Sequence, residues 1–288
     1  MNDDVLRTNL LDLLHALGDD AHRILLGGGY GLYLKQLHLA EAGVRTLIDV
    51  ELWPSPRATE DLDLMLPADF VGDSRSMTSL RAVLDKLGYK VKEGAEYEQF
   101  VRTITNTQAV KIDLLTAQLG VLQDLNTIKA DRRRASPVAA TRPKLHAHPT
   151  DGALSLTEAP AVLEVPGKLS SGQAFAGKVM IPDPFNYLLM KLTAYRDRRD
   201  DPDKDLGRHH ALDVFRIVAM LTEPEYDRVH TNLQAFTNDA QVRSCVALVR
   251  SDFASDTARG VLAMREHQLW QNNSQLPVFL ETLLGLMS

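Results

Sequence analysis

The segment Asp61-Leu62-Asp63-Leu64-Met65-Leu66 constrains the fold most. Leucine at every second position has a period of two, which a strand satisfies and a helix does not. Such a strand has one apolar face, which needs a core, and one face with two carboxylates. Half-burying two like charges is costly unless something compensates them. One reading is a functional site; the plainer one is a salt-bridged edge strand.

Two other segments bear on that choice. Ile24-Leu25-Leu26 runs into Gly27-Gly28-Gly29, and a helical pattern follows from about Tyr30 to Leu39. Strand, glycine turn and helix is the expected order. Glycine lets backbone approach a phosphate, and a helix N-terminus offers free N–H groups to an anion, although glycine runs also serve as ordinary turns. Val110–Leu115 alternates as well, with Ile112 and Leu114 on one face and Asp113 on the other. If this strand pairs with that of Asp61 and Asp63, three carboxylates converge. Two unit charges about 4 Å apart repel by about 4 kcal/mol at an effective dielectric near 20. An all-oxygen set favours Mg²⁺, with Mn²⁺ as the alternative, and such ions take further oxygens from substrate phosphates. Carboxylates bridging two ions suit phosphoryl or nucleotidyl transfer. The other reading of Asp113 is an ion pair with Lys111 or a nearby arginine.

The rest of the chain divides by texture. Its first part alternates short apolar runs with helical patterns: a helix over Val5–Leu17, another over Met77–Leu87, and strands near 89–92, 99–105 and 110–115. This predicts an α+β domain over residues 1–182, partly irregular over 118–182, with short β pieces at 161–165 and 177–181. Asp183 and Pro184 suit the N-cap and first turn of a helix reaching about Arg198. Further helices are expected near 208–221, 224–236, 239–250, 256–270 and 276–287, making 183–288 a helical domain. Cys245 and the stripe from Leu276 to Leu286 are expected in its core; the stripe could also serve as a partner interface.

Composition excludes several classes. With 288 residues, a net charge of −6 and one cysteine, the chain has neither a disulfide framework nor a cysteine-rich zinc module. Its acidic balance argues against nonspecific coating of nucleic acid. No apolar run is long enough for a membrane span, and the acidic start Met1-Asn2-Asp3-Asp4 does not read as a signal peptide, so a cytoplasmic location is expected.

Together, the glycine turn, Thr59-x-Asp61-Leu-Asp63-Leu and the later Asp113 resemble the pattern of the DNA polymerase β-like nucleotidyltransferase superfamily. Two helices narrow the resemblance. Leu188-Leu189-Met190-Lys191-Leu192-Thr193-Ala194-Tyr195-Arg196 looks like the lysine helix of the AbiEii/AbiGii-type toxin nucleotidyltransferases. His209-His210-Ala211-Leu212-Asp213-Val214-Phe215-Arg216 looks like their next conserved helix. The mycobacterial tRNA-modifying toxins share the layout, and the likeness covers roughly residues 23–216. It implies a polymerase β-like mixed sheet with flanking helices, followed by a helical bundle. It implies a Mg²⁺-dependent enzyme that transfers NMP from an NTP to an acceptor hydroxyl. An RNA 3′ end such as tRNA would be the acceptor, and a cognate antitoxin protein the partner. Gly28 and Gly29 would hold the triphosphate, with Thr59 nearby. Asp61, Asp63 and Asp113 would hold the metal, and Asp113 would also take the acceptor proton. Lys191 and Arg196 would contact the nucleotide, and Asp213 would orient Lys191 or touch the nucleotide.

This chain departs from the family pattern in three places. There is an apparent insertion at about 41–57, Tyr30-Gly31 follows the glycines where a hydroxyl is usual, and His209-His210 stand where the family has Asp. Arg57, two residues before Thr59, does fit the pattern. Alternatives remain: a protein or small-molecule (antibiotic) hydroxyl as acceptor, or a non-catalytic nucleotide-binding scaffold. Lys191 could simply snorkel from its helix, and Arg196, Arg198 and Arg199 could simply complement the helix dipole. Arg132-Arg133-Arg134, with Arg142 and Lys144, form the basic cluster, read either as a solvated loop or as an RNA docking patch. His209 and Asp213, four residues apart, have metal-ligand spacing but no evident third ligand. His146 and His148 are expected in solvent.

Overall fold

The computed structural model describes residues 3–56, 59, 61–95, 97–138, 144–271 and 273–288. Arg57 and Arg142 lie outside the described residues. The chain splits into two compact units, one of Met1–Lys35 and Ala58–Pro182, the other of Gln36–Arg57 and Asp183–Ser288. One division falls between Pro182 and Asp183, where the texture changes. Residues 36–57, expected within the N-terminal domain, belong instead to the second unit.

In the first unit, α1 (Asp3–Leu17) precedes the short strand β1 (Leu25–Leu26), and α2 (Gly28–Ala42) starts there before running past the division at residue 35. Then follow β2 (Asp61–Leu66), α3 (Ala68–Gly72), α4 (Ser74–Lys86), β3 (Lys90–Val91), β4 (Gln99–Thr105) and β5 (Gln108–Thr116). The stretch read as partly irregular holds α5 (Leu119–Gln123), β6 (Ile128–Ala130), β7 (Ala135–Pro137), β8 (His148–Pro149), β9 (Ala161–Lys168) and β10 (Ala174–Ile181). Its last two strands extend the main sheet. The sheet order is β3-β4-β5-β2-β1-β10-β9, with β8 beside β5, and β6 and β7 form a separate ribbon. The sheet is mixed: β2 pairs parallel with β5 and antiparallel with β1, while β1 pairs parallel with β10.

The alternation read from sequence sets the two faces of the sheet. Leu62, Leu64, Ile112 and Leu114 are fully or almost fully buried, while Asp61, Asp63, Lys111 and Asp113 between them are only partly so. Helix α1 packs on the apolar face with Leu10, Leu11, Leu13 and Leu14 buried. It fits because β9 and β10 carry glycines beneath it. A Cβ at Gly177 would meet Leu14 Cδ1 at 2.8 Å, and one at Gly167 would meet Leu11 Cδ1 at 2.7 Å. Polar groups pin the same helix: the Arg102 guanidinium donates to Asn9 Oδ1 and Asp12 Oδ2, and the Ser170 N–H donates to Asp12 Oδ1. The carboxylates of β2 and β5 therefore stand on the face away from α1.

The second unit is helical among its described residues. It contains α6 (Pro184–Arg198), α7 (Arg208–Ala219), α8 (Glu223–Ala235), α9 (Ala240–Asp252), α10 (Arg259–Arg265) and α11 (Leu276–Leu286). Asp183 caps α6 as its sequence suggested, accepting from the Phe185 N–H at 2.9 Å, with Pro184 in the first turn. Aromatic contacts close the core: Phe215 meets Trp270 and Phe279, and Tyr195 meets Phe253. Leu276, Phe279, Leu283 and Leu286 are buried, as is Cys245. Residues 36–57 join this core through backbone bonds from the Leu47 and Ile48 N–H groups to the Leu221 and Ala219 carbonyls.

Candidate active site

Register brings the three carboxylates of the first unit together. In the parallel pair β2–β5, Asp63 lies opposite Asp113 and Asp61 opposite Lys111. Paired residues on neighbouring strands point to the same face, and strands lie about 4.8 Å apart. Asp61, Asp63, Lys111 and Asp113 thus form one polar cluster on the sheet surface. Sequence predicted the three acids and offered Lys111 as a possible partner of Asp113. The structure pairs Asp113 with Lys111 and sets both beside Asp61 and Asp63.

Lys111 is the residue that the functional reading of the sequence undervalued. Its Nζ lies 2.7 Å from Asp113 Oδ2 and 3.3 Å from Asp61 Oδ2. Burial opposes its charge, but the hydrogen bonds and charges of Asp113 and Asp61 outweigh this and hold its pKa above the usual lysine value. At Asp113 the balance falls against the charged form: burial pushes its carboxyl up, and Lys111, bonded to it, pulls back only part of that shift. Asp113 Oδ1 is buried with no hydrogen-bond partner. A signal for Lys111 was present, since a residue two positions before Asp113 on a strand must share its face.

The glycine turn belongs to the same cluster. The Gly27 N–H donates to the Asp63 carbonyl at 2.8 Å, which ties the end of β1 to β2. Gly28 has φ +62°, and a Cβ there would fall 1.6 Å from Asp63 Oδ2. The Asp63 carboxylate fills the space that any side chain at 28 would need, so this position requires glycine on both counts. Helix α2 starts at Gly28 with no acidic residue in its first turn, so Gly28 and Gly29 lie at the positive end of its dipole. Thr59 is half-buried just before β2.

An all-oxygen donor set with an orphaned, buried carboxylate oxygen suits a hard divalent cation. The three carboxylates do not close on a single point, however. Among the described residues, only Asp205, His209 and His267 bring three ligand atoms within 4.8 Å of one another. At the acids, the Lys111 ammonium bridges Asp61 and Asp113.

The remaining expected residues lie in the second unit. Lys191 does not snorkel; it is buried, and its Nζ donates to Asp213 Oδ2 at 2.7 Å. Asp213 Oδ1 accepts from Arg216 at 3.1 Å, and Arg216 also donates to Gln36 Oε1 at 2.8 Å. The Gln36 amide in turn donates to the Pro54 carbonyl. Asp213 is thus bonded to both Lys191 and Arg216. Arg196 is partly exposed and bonds Asp197 and Ser244. Arg199 pairs with Asp252, and Arg198 bonds the His210 ring.

His209 and Asp213 do not act as a pair. The His209 ring meets His267 at 2.7 Å and Asp205 at 3.6 Å. The Leu269 N–H donates to His267 Nδ1, which leaves the His267 proton on Nε2, directed at His209. That cluster is hydrogen-bonded within itself in a way that disfavours a metal at His267 Nε2. Arg132, Arg133 and Arg134 are exposed at the turn joining β6 to β7, where Asp131 accepts from the Arg133 and Arg134 N–H groups. His146 and His148, expected in solvent, are partly buried before and within β8, with the His148 ring at 3.2 Å from the Arg133 carbonyl.

No helix of the described residues is long and apolar enough to cross a membrane. No known family profile matches the chain, and no curated protein matches it. Among solved structures, the solution structure of the antibiotic-resistance factor ANT(2'')-Ia is similar, with a TM-score of 0.37 and 14% sequence identity over 84% of this chain and 98% of that one.

Proposed function

We propose that this protein is a divalent-metal-dependent nucleotidyltransferase that transfers NMP from an NTP to an acceptor hydroxyl. One observation carries the reading: Asp63 and Asp113 face each other across parallel β2 and β5, with Asp61 beside them and the glycine start of α2 packed against Asp63. In the reaction the acceptor oxygen bonds the α-phosphorus as the bond to pyrophosphate breaks. A bound Mg²⁺ or Mn²⁺ would supply charge neutralisation and Lewis-acid polarisation of phosphate oxygens. Asp61, Asp63 and Asp113 would hold it. Backbone N–H groups at Gly28 and Gly29 bind phosphate oxygens, with Thr59 close by in sequence to Asp61. The family resemblance also gives Asp113 the role of accepting the hydroxyl proton. Lys191, oriented by Asp213, contacts nucleotide phosphate, and Arg196 supplements it; these roles come from the family resemblance. Catalysis of this type is mostly positioning and electrostatics.

The finer reading follows the same resemblance. The acceptor is an RNA 3′ end such as tRNA, and the protein is the toxin of a toxin–antitoxin pair whose antitoxin is a separate chain. The exposed arginines between β6 and β7 suit contact with an RNA backbone. Each labelled NTP should be incubated with Mg²⁺, total RNA, cell protein and a panel of small-molecule alcohols, using the native protein and Asp63→Ala. Label at RNA 3′ ends that disappears in Asp63→Ala is the expected result. Label confined to protein or to small molecules moves the acceptor, and no difference between the two proteins leaves only a nucleotide-binding scaffold.

A further inference from the structure

We propose that Lys111 permanently holds one of the two cation positions of the carboxylate cluster, so that the cluster takes up a single divalent ion, held by Asp63 and Asp113 while Asp61 holds Lys111. This rests on the nucleotidyltransferase reading and specifies its metal stoichiometry. The side chain is built into the cluster by register: Lys111 is the β5 residue opposite Asp61 and lies two residues before Asp113 on the same face. Its ammonium touches both carboxylates, at 2.7 Å and 3.3 Å. An ammonium is a compact point charge with three donors, so it can do for two carboxylates what a bridging ion does.

Charge balance points the same way. Three carboxylates and one ammonium leave two negative charges, which one divalent ion neutralises. A second such ion would make the cluster net positive while Lys111 remained. Binding room is also unequal. The Oδ2 atoms of Asp61 and Asp113 are engaged by Lys111, whereas Asp113 Oδ1 is buried without a partner. The single ion is therefore assigned to Asp63 and to Asp113 Oδ1, with Asp61 serving mainly to hold Lys111 in place.

The test counts ions and does not depend on activity. Mn²⁺ is titrated into the native protein and into Lys111→Met, read by calorimetry and by the loss of free-ion paramagnetic resonance signal. One ion per chain in the native protein and two in Lys111→Met is the expected result. Lys111→Gln, which keeps hydrogen-bonding capacity but not charge, is expected to gain the same second ion and covers a methionine variant that fails to fold. Two ions in the native protein, or no gain in either variant, overturns the proposal. Absence of Mn²⁺ binding by all three proteins has a different meaning: it removes the metal site itself, and the transferase reading with it.

Discussion

At the scale of residues, Asp113 is under opposed demands. Lys111 favours its charge, but burial disfavours it more, and the carboxyl keeps its proton to higher pH in the fold than in the unfolded chain. The sign for stability follows by linkage. A carboxyl whose folded pKa is raised contributes stability at acid pH, where it is protonated in the fold, and loses it as pH rises through that folded value. At neutral pH the ionised group is a net burden on folding stability. Asp113→Asn mimics the neutral form. In metal-free buffer at pH 7 it is expected to melt above the native protein, with the gap closing as pH falls through the folded pKa of Asp113. Thermal melts across that range decide the matter, and a lower melting point at pH 7 would contradict the account. The three acids could be read in the sequence because an ionisable group on an alternating apolar strand stands out. Lys111 did not stand out, because a lysine on a strand is usually a solvated side chain; only register reveals what it bridges.

At the scale of elements, α1 holds the sheet from the face opposite the acids. Leu11 is fully buried and lies over Gly167 and Gly177, two positions where a Cβ would collide with α1. Leu11→Ala is expected to cost about 2–5 kcal/mol, the usual range for truncating a core leucine. Urea denaturation should show this as a lower midpoint with an unchanged slope. Most elements were legible because they repeat a period long enough to see: β2, β4, β5 and the longer helices lie near their sequence expectations, whereas the five-residue helices α3 and α5 were not expected and α10 is shorter than expected. The strands β6, β7 and β8 have three residues or fewer, too short for any period, and β8 pairs with β5, far back along the chain. Prolines at 137 and 149 disguised them further by removing ladder donors.

At the scale of the whole molecule, the chain is not two consecutive beads. Residues 36–57 looked like an insertion in the first domain, and nothing local marks them as part of the second. Their place is fixed by distant partners: Gln36 accepts from the buried Arg216, and Leu47 and Ile48 bond the end of α7. A fragment of residues 183–288 therefore lacks part of its own core and leaves a buried guanidinium short of an acceptor. It is expected to be poorly folded alone, and the same fragment with 36–57 joined by a flexible linker is expected to give a cooperative melt. Amide proton dispersion of the two fragments would separate these outcomes, and a well-dispersed spectrum from 183–288 alone would refute the assignment. The second unit also carries its own reporter. Cys245, the one thiol of the chain, is sealed between α9 and α6, within 3.8 Å of the Leu189 carbonyl. A maleimide dye can reach it only when those helices part, so its labelling rate times the breathing of the bundle without any engineered probe.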